Sequence, residues 1–464
     1  MKKFVYIILA LALTAAACDD KKQEQHEAPV LLSTSPADGA VDVLSDQLIQ
    51  LRFDEVITPA PQHDITVNNE AVEVRVSNLS LTTLELDLVL EAGRTYTVQV
   101  PAGAVVNSFG VALEDAFSFS FTTKAEQVVA PEEQPVVANP SPEVVKVYNY
   151  LKEQYGKKSF SGTMSHVSWN VNEAEWVKQH TGKYPAMATV DYIHLNYSPA
   201  NWIDYNDTGF LEDWWAANGL VSAGWHWVVP NSESGVSDPQ QYTYKPEETT
   251  FKVANALTEG NWEHEVLQAD LAEMADYLLL LKEKNIPVLW RPLHEAAGNI
   301  YEYNNGTAWF WWGAGGADNY KALWIHMFEY FESRGLNNLL WVWTTQTKDA
   351  AFYPGDAYVD IVGRDIYNNG SGSDIAAQFA SIQTEYPNKM VTLSEFGSSA
   401  SFSKQWEAGA SWSYFMPWYD YDRTLNPGSE AFAGSSHEHA DVAWWQDAAA
   451  HADVLWREDL PSLK

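Results

Sequence analysis

The chain has 464 residues, 46% of them apolar, which is enough for two cores and excludes global disorder. Lys and Arg number 28 against 62 Asp and Glu, and the net charge of −34 repels nucleic acid and anionic membrane surfaces, leaving neutral or cationic partners. The other excess is aromatic, 21 Trp and 23 Tyr, many in the second half beside polar residues; flat apolar faces ringed by hydrogen-bonding groups suit carbohydrate.

Met1-Lys2-Lys3 is positive, Phe4 to Leu13 is apolar but too short to span a bilayer, and Ala15-Ala16-Ala17 precede Cys18. Cys18 is the only cysteine, so no disulfide forms within the chain. Residues 1–18 resemble a bacterial lipoprotein signal, which implies cleavage before Cys18 and its lipidation; Ala15 stands where such signals more often carry Leu. Asp19-Asp20 is similar to signals that route lipoproteins outward. The expectation is a protein at the outer membrane or cell surface, with a periplasm-facing anchor also open, that meets the membrane by its lipid alone. "DDKKQEQHE", 19–27, reads as a polar tether.

Residues 28–124 have a β texture. "QLIQLRF", "LELDLVL", "TYTVQV" and "FSFSFTT" alternate apolar and polar residues, separated by turns such as "PADGA" and "NSFG". Short strands at this spacing predict a sandwich. From "SPADGAVDV" to "FSFTT" the stretch resembles a bacterial immunoglobulin-like domain. No His, Cys or clustered carboxylates converge in it, so it is expected to be a spacer. Residues 125–141, rich in Pro and Glu, read as a stiff extended linker.

From 142 to 464 apolar strands alternate with helical stretches. The predicted strands are "SFSGTMS", "AMATVDY", "VSAGWHW", "IPVLWRPLHE", "LLWVWTT", "VDIVGRDIY", "MVTLSEF" and "WSYFMPW"; helices are clearest over Leu267–Lys284 and Tyr320–Ser333. Eight βα units predict an α/β fold, a (β/α)8 barrel, behind the all-β sandwich. A doubly wound open sheet is the alternative, but no Gly-rich phosphate loop follows any strand.

In such a barrel the site forms where strands end. Strand 3 ends in His226 and Trp227, strand 4 in Arg291, His294 and Glu295, strand 6 in Arg364, Asp365 and Tyr367, strand 7 in Glu395 and strand 8 in Trp418. Burying such charges costs several kcal/mol or more unless they are paired or used. Counting by two puts Arg291, Leu293 and Glu295 on one face, and Val391, Leu393 and Glu395 on another, so both glutamates point into the mouth. Two facing carboxylates suit glycoside hydrolysis, one protonated to assist the leaving oxygen and one ionised. Their mutual repulsion raises one pKa, and Arg291 and His294 would orient the pair. Two separate structural ion pairs would place glutamates there equally well.

"WRPLHE" at 290–295, "WFWWG" at 309–313 and "LSEFG" at 393–397, in that order, resemble glycoside hydrolase family 26, most of whose characterised members are β-mannanases. The resemblance runs from about residue 142 to the C-terminus. It implies Glu295 as general acid/base and Glu395 as nucleophile of a retaining mechanism, with His226, His294, Trp309 and Tyr367 binding sugar or positioning the glutamates. "AAGNIYEYNNGTA" separates Glu295 from Trp309, a longer insertion than the family's pattern. Trp418 in "MPWYDY" suits a platform for the sugar at the cleavage point, and core packing suits it too.

"HEAAG" at 294–298 begins like a zinc-protease helix, but Gly298 stands where that motif needs His. "HEH" at 437–439 is read as an exposed loop rather than a metal grip. No metal or cofactor is expected. The expected partner is a polysaccharide or oligosaccharide and the expected state a monomer. The leading reading is a surface-tethered endo-β-1,4-mannanase acting on β-mannan, galactomannan or glucomannan. The same mechanism on mixed-linkage glucan or xylan stays open, as does exo-acting mannobiose release if the segment Val228–Glu265 blocks the cleft. A non-catalytic glycan-binding lipoprotein is the reading from another class.

Overall fold

The computed structural model describes residues 26–125, 130–165, 168–195, 203–303, 305–424 and 426–464, so the signal-like segment and Cys18 lie outside the described residues. The chain divides into two compact units, one from Met1–Asp38, Leu48–Asp87 and Thr97–Phe119, the other from Gly39–Gln47, Leu88–Tyr96 and Ser120–Lys464.

The N-terminal strands form an antiparallel sheet in the order Leu31–Ser35, Ile49–Phe53, Ser80–Asp87, Glu73–Ser77. A second sheet runs Ala40–Val43, Phe117–Thr123, Thr95–Val100, Thr66–Val67, Glu70–Ala71. Alternation is visible where it was predicted: Ile49, Leu51 and Phe53 are buried while Gln50 and Arg52 are not, and Phe119, Phe121 and Thr123 are buried in turn. "LELDLVL" is only partly strand. The element is Ser80–Asp87, and Leu88 and Val89 beyond it are exposed.

All eight predicted barrel strands form, all pairs parallel: strand 1 Ser159–Met164, strand 2 Met187–Asp191, strand 3 Leu220–Trp225, strand 4 Val288–Pro292, strand 5 Leu339–Thr345, strand 6 Ile361–Tyr367, strand 7 Met390–Gly397 and strand 8 Tyr414–Pro417. Strand 8 pairs with strand 1 and strand 1 with strand 2, which closes the barrel. Nearly every strand residue is buried, because helices cover the outside and side chains fill the inside.

The helix Trp262–Glu283 begins a turn earlier than predicted. It buries Leu267, Leu271, Met274, Leu278 and Leu281, spaced by three and four, with Glu263 and Glu265 in its first turn and Lys282 in its last. The helix Ala317–Ser333 buries Leu323, Trp324, Met327, Phe328 and Phe331 in the same way. In Pro142–Gln154 the Ser141 side chain caps Val144 N–H and Pro142 opens the first turn.

The segment predicted to be a stiff extended linker packs on the barrel at its C-terminal end. Val136 N–H bonds Asp360 at 2.8 Å, Lys389 Nζ bonds Glu132 Oε1 at 3.0 Å, and Val137 is buried. The composition hid this, because two apolar valines inside a Pro/Glu-rich run are enough to dock it.

Candidate active site

Strand 4 ends at Pro292, and the chain then turns through Leu293 (φ 48°) and Glu295 (φ 49°), both left-handed and both non-glycine. Such backbone costs about 1–3 kcal/mol per residue unless its surroundings hold it. Here they do: Tyr320 OH donates to Leu293 O and Trp312 Nε1 to His294 O, each at 2.9 Å. At Gly313 a Cβ would stand 1.7 Å from Ala296 O, so only glycine lets this turn pack. The period-two count therefore fails beyond Pro292. Glu295 reaches the mouth by a turn and not by strand alternation.

Strand 7 departs from alternation too. Arg364 is opposite Leu393 and Asp365 opposite Glu395, so Ser394 is an extra residue, a β-bulge. As a result two consecutive side chains reach the two members of one ion pair: Ser394 Oγ donates to Asp365 Oδ1 at 2.7 Å and Glu395 Oε2 accepts from Arg291 Nη1 at 3.0 Å. Arg364 faces away, donating to Gln378 at 3.0 Å.

Arg291 is the hub. Its Nε donates to Thr344 Oγ1 at 2.9 Å, its Nη2 pairs with Asp365, and its Nη1 holds Glu395. Tyr367 OH donates to the other oxygen of Glu395. Glu295 is held differently from the prediction, by Gln346 Nε2 at 3.0 Å rather than by Arg291 or His294. His294 instead packs its ring 4.3 Å from that of His226 and 4.9 Å from that of Phe310. His226 is tied by its N–H and its Nδ1 to Asp191 at the end of strand 2. Trp418 is buried with its ring 5.5 Å from His226, so it belongs to the site wall. Trp309 is 41% exposed and its ring lies over Gly298, three residues past Glu295.

Three groups escaped the sequence reading, Asp191, Thr344 and Gln346, while Asp365 was named as a strand end without its partner Arg291. Each sits at or just beyond a strand end, so position could have nominated them, but nothing in one strand shows which strand lies opposite. "HEH" also differs from the expectation: Glu438 is exposed while the His437 side chain is only 2% exposed, bonded to Glu173 at 3.0 Å. Among the described residues no group of three or more His, Cys, Asp or Glu could hold a metal ion.

The electrostatics separate the two glutamates. Burial pushes the Glu295 carboxyl well above the usual range, and the charges of Asp365 and Glu395 add to that, opposed by Arg291. Burial and Asp365 also raise Glu395, but Arg291, the Tyr367 hydrogen bond and His226 pull it back. Burial works against a charge on His226, yet Asp191 overrides it and keeps that imidazole raised. His294 is driven well below its ordinary value by burial and by the charges of His226 and Arg291.

At the mouth of the barrel, then, the Glu295 carboxyl is raised well above its ordinary value and Glu395 is raised less. The chain matches the family model "Glycosyl hydrolase family 26" over residues 136–439, well over half its length. The chain belongs to glycosyl hydrolase family 26. A second match, to "Bacterial Ig-like domain", covers residues 25–123. Among family 26 relatives, mannan endo-1,4-beta-mannosidase B of Piromyces sp is 32% identical over 326 residues, 68% of this chain and 53% of that protein. Mannan endo-1,4-beta-mannosidase of Thermothelomyces thermophilus is 33% identical over 360 residues, 72% of this chain and 69% of that one. The chain thus spans about half the length of the Piromyces relatives it matches. The crystal structure of the GH26 domain of an endo-beta-mannanase/endo-beta-glucanase from Prevotella bryantii superposes with a TM-score of 0.64 at 37% identity, covering 70% of this chain and 98% of that one.

Proposed function

We propose that this family 26 glycoside hydrolase is a retaining endo-β-1,4-mannanase, with Glu395 as nucleophile and Glu295 as general acid/base. The observation that carries the assignment of roles is the unequal environment of the two carboxyls. Glu395 has Arg291 on one oxygen and Tyr367 on the other, contacts that favour the anion and oppose the upward pull of burial and Asp365. Glu295 is buried beside Asp365 and Glu395, whose charges favour the acid, and its amide donor Gln346 brings no positive charge to offset them.

In the first step a Glu395 oxygen attacks the anomeric carbon while the glycosidic C–O bond breaks and Glu295 gives its proton to the departing oxygen. In the second, the now ionised Glu295 takes a proton from water as that water attacks the same carbon and releases Glu395. Arg291 balances the charge of Glu395 without leaving Asp365 unpaired. The choice of mannan rests on the relatives, whose names specify mannan or β-mannanase activity. Trp418 and Trp309 offer aromatic faces for sugar rings.

The segment Val228–Glu265 contains a short ribbon, Val229–Pro230 with Tyr242–Thr243, and places the Tyr244 ring 5.7 Å from Phe310 beside the site. We read it as one wall of an open cleft, hence endo action. Cys18 as a lipid anchor at the cell surface completes the proposal. The test is hydrolysis of linear mannan, galactomannan, mixed-linkage glucan and xylan with product sizing. Rapid loss of mannan viscosity with mixed oligosaccharides is expected. Preferential cleavage of glucan or xylan, or mannobiose as sole early product, would overturn the substrate or the mode.

A further inference from the structure

Beyond strand 8 the chain carries a buried polar cluster with no part in the chemistry above. Glu173, 2% exposed on the helix Asn172–Thr181, accepts from Arg423 Nε and from His437 Nε2, each at 3.0 Å. His437 Nδ1 accepts the backbone N–H groups of both His439 and Ala440 at 3.0 Å, so its tautomer is fixed, with the proton on Nε2. The Arg423 guanidinium lies 4.2 Å above the Trp176 ring. These contacts hold the backbone at residue 439 in place.

His439 is docked a second time, its carbonyl accepting Ser398 N–H at 2.8 Å just past strand 7. Its ring meets Tyr367 edge-on, centroids 5.7 Å apart at 84°. The two rings converge over Gly397, where a Cβ would lie 2.4 Å from His439 Nδ1 and 2.6 Å from the Tyr367 ring. Tyr367 is 38% exposed, so its own strand does not confine it, yet its hydroxyl must stay on Glu395.

We propose that His439 is a positioning residue that wedges Tyr367 into the rotamer bonded to Glu395, and that the Glu173–Arg423–His437 cluster sets the wedge. The inference rests on Glu395 being the nucleophile. Without the wedge Tyr367 has other staggered rotamers open to it, and Glu395 loses a donor that fixes its attacking geometry.

The test is a double-mutant cycle in the full chain, with β-manno-oligosaccharide as substrate. An edge-on ring contact is worth about tenfold in an equilibrium, so His439→Ala is expected to lower kcat by roughly that factor with little change in KM. In the Tyr367→Phe background, where the hydroxyl is already gone, the same substitution is expected to cost less than about twofold. His439→Phe, which keeps a ring edge, is expected to recover most of the rate. Equal losses in both backgrounds, or a loss confined to KM, overturn the proposal. A crystal structure of His439→Ala tests it without any assay: Tyr367 turned away from Glu395 supports it and Tyr367 unmoved overturns it. If the unaltered chain cleaves no glycan, the assignment of Glu395 fails, and that structure still decides the role of His439.

Discussion

Replacing Arg291 by Met removes the hub while keeping much of its length. Asp365, with a fully buried side chain, and Glu395, 10% exposed, would then face each other without a counter-charge. Breaking a buried ion pair by removing one partner costs about 3–5 kcal/mol, against a total stability of roughly 5–15 kcal/mol, so the variant folds but is weakened. The first Trp in the chain is Trp169, so urea unfolding followed by Trp fluorescence reports the barrel alone. Catalysis responds separately. Arg291 opposes the upward pull on Glu395, so its removal raises Glu395 further and moves the acidic limb of kcat/KM to higher pH. Arg291→Met with Asp365→Asn is expected to regain much of the stability, because one buried charge is gone, without regaining the rate. A destabilisation under about 1 kcal/mol together with an unmoved acidic limb would refute the hub.

Three further outcomes are expected. Because the Glu295 carboxyl is raised in the folded state, its contribution to stability is full below the unfolded pKa and is lost as pH rises through the folded one. Glu295→Gln should therefore unfold later than the parent chain in thermal melts at neutral pH, and the difference should vanish as pH falls through the ordinary carboxylate range. A chain beginning at residue 142 loses the buried Val137 and leaves Asp360 without its Val136 donor. It should be about 2–4 kcal/mol less stable in urea than one beginning at 130, and equal midpoints would show that the segment is only a spacer. Cys18→Ala should shift the protein from the membrane fraction to the soluble one while hydrolysis by the purified chain is unchanged; continued membrane association would dismiss the anchor.

The barrel was legible because its strands are unbroken apolar runs ending in charge, as in a helix-covered parallel sheet, and eight such units without a Gly-rich phosphate loop favoured the closed form. Both glutamates were singled out by type and by strand end, and they stand in one charged site, yet simple alternation does not account for how either gets there. Alternation stops at Pro292, where two left-handed residues take over, and the bulge at Ser394 shifts the phase of strand 7. Neither feature has a local signal, since Leu293 and Glu295 are not residues that favour such backbone, and the turn is held by Tyr320 on the Leu293 carbonyl and Trp312 on the His294 carbonyl, both from a later helical region. The pairing of Arg291 with Asp365 and the support of Tyr367 by His439 join residues 74 and 72 positions apart, and only the folded barrel brings them together.

The central claim is that Glu395 becomes covalently bonded to the sugar. Incubation with a 2-deoxy-2-fluoro-β-manno-oligosaccharyl fluoride slows release of the intermediate more than its formation, so the label accumulates on the nucleophile. Peptide mapping by mass spectrometry then reads the position of the added mass. The account predicts one glycosyl unit on the peptide carrying "LSEFG", at Glu395, and none after Glu395→Ala. A label on Glu295, or steady turnover of other substrates to an inverted anomer with no label at any carboxylate, would contradict it.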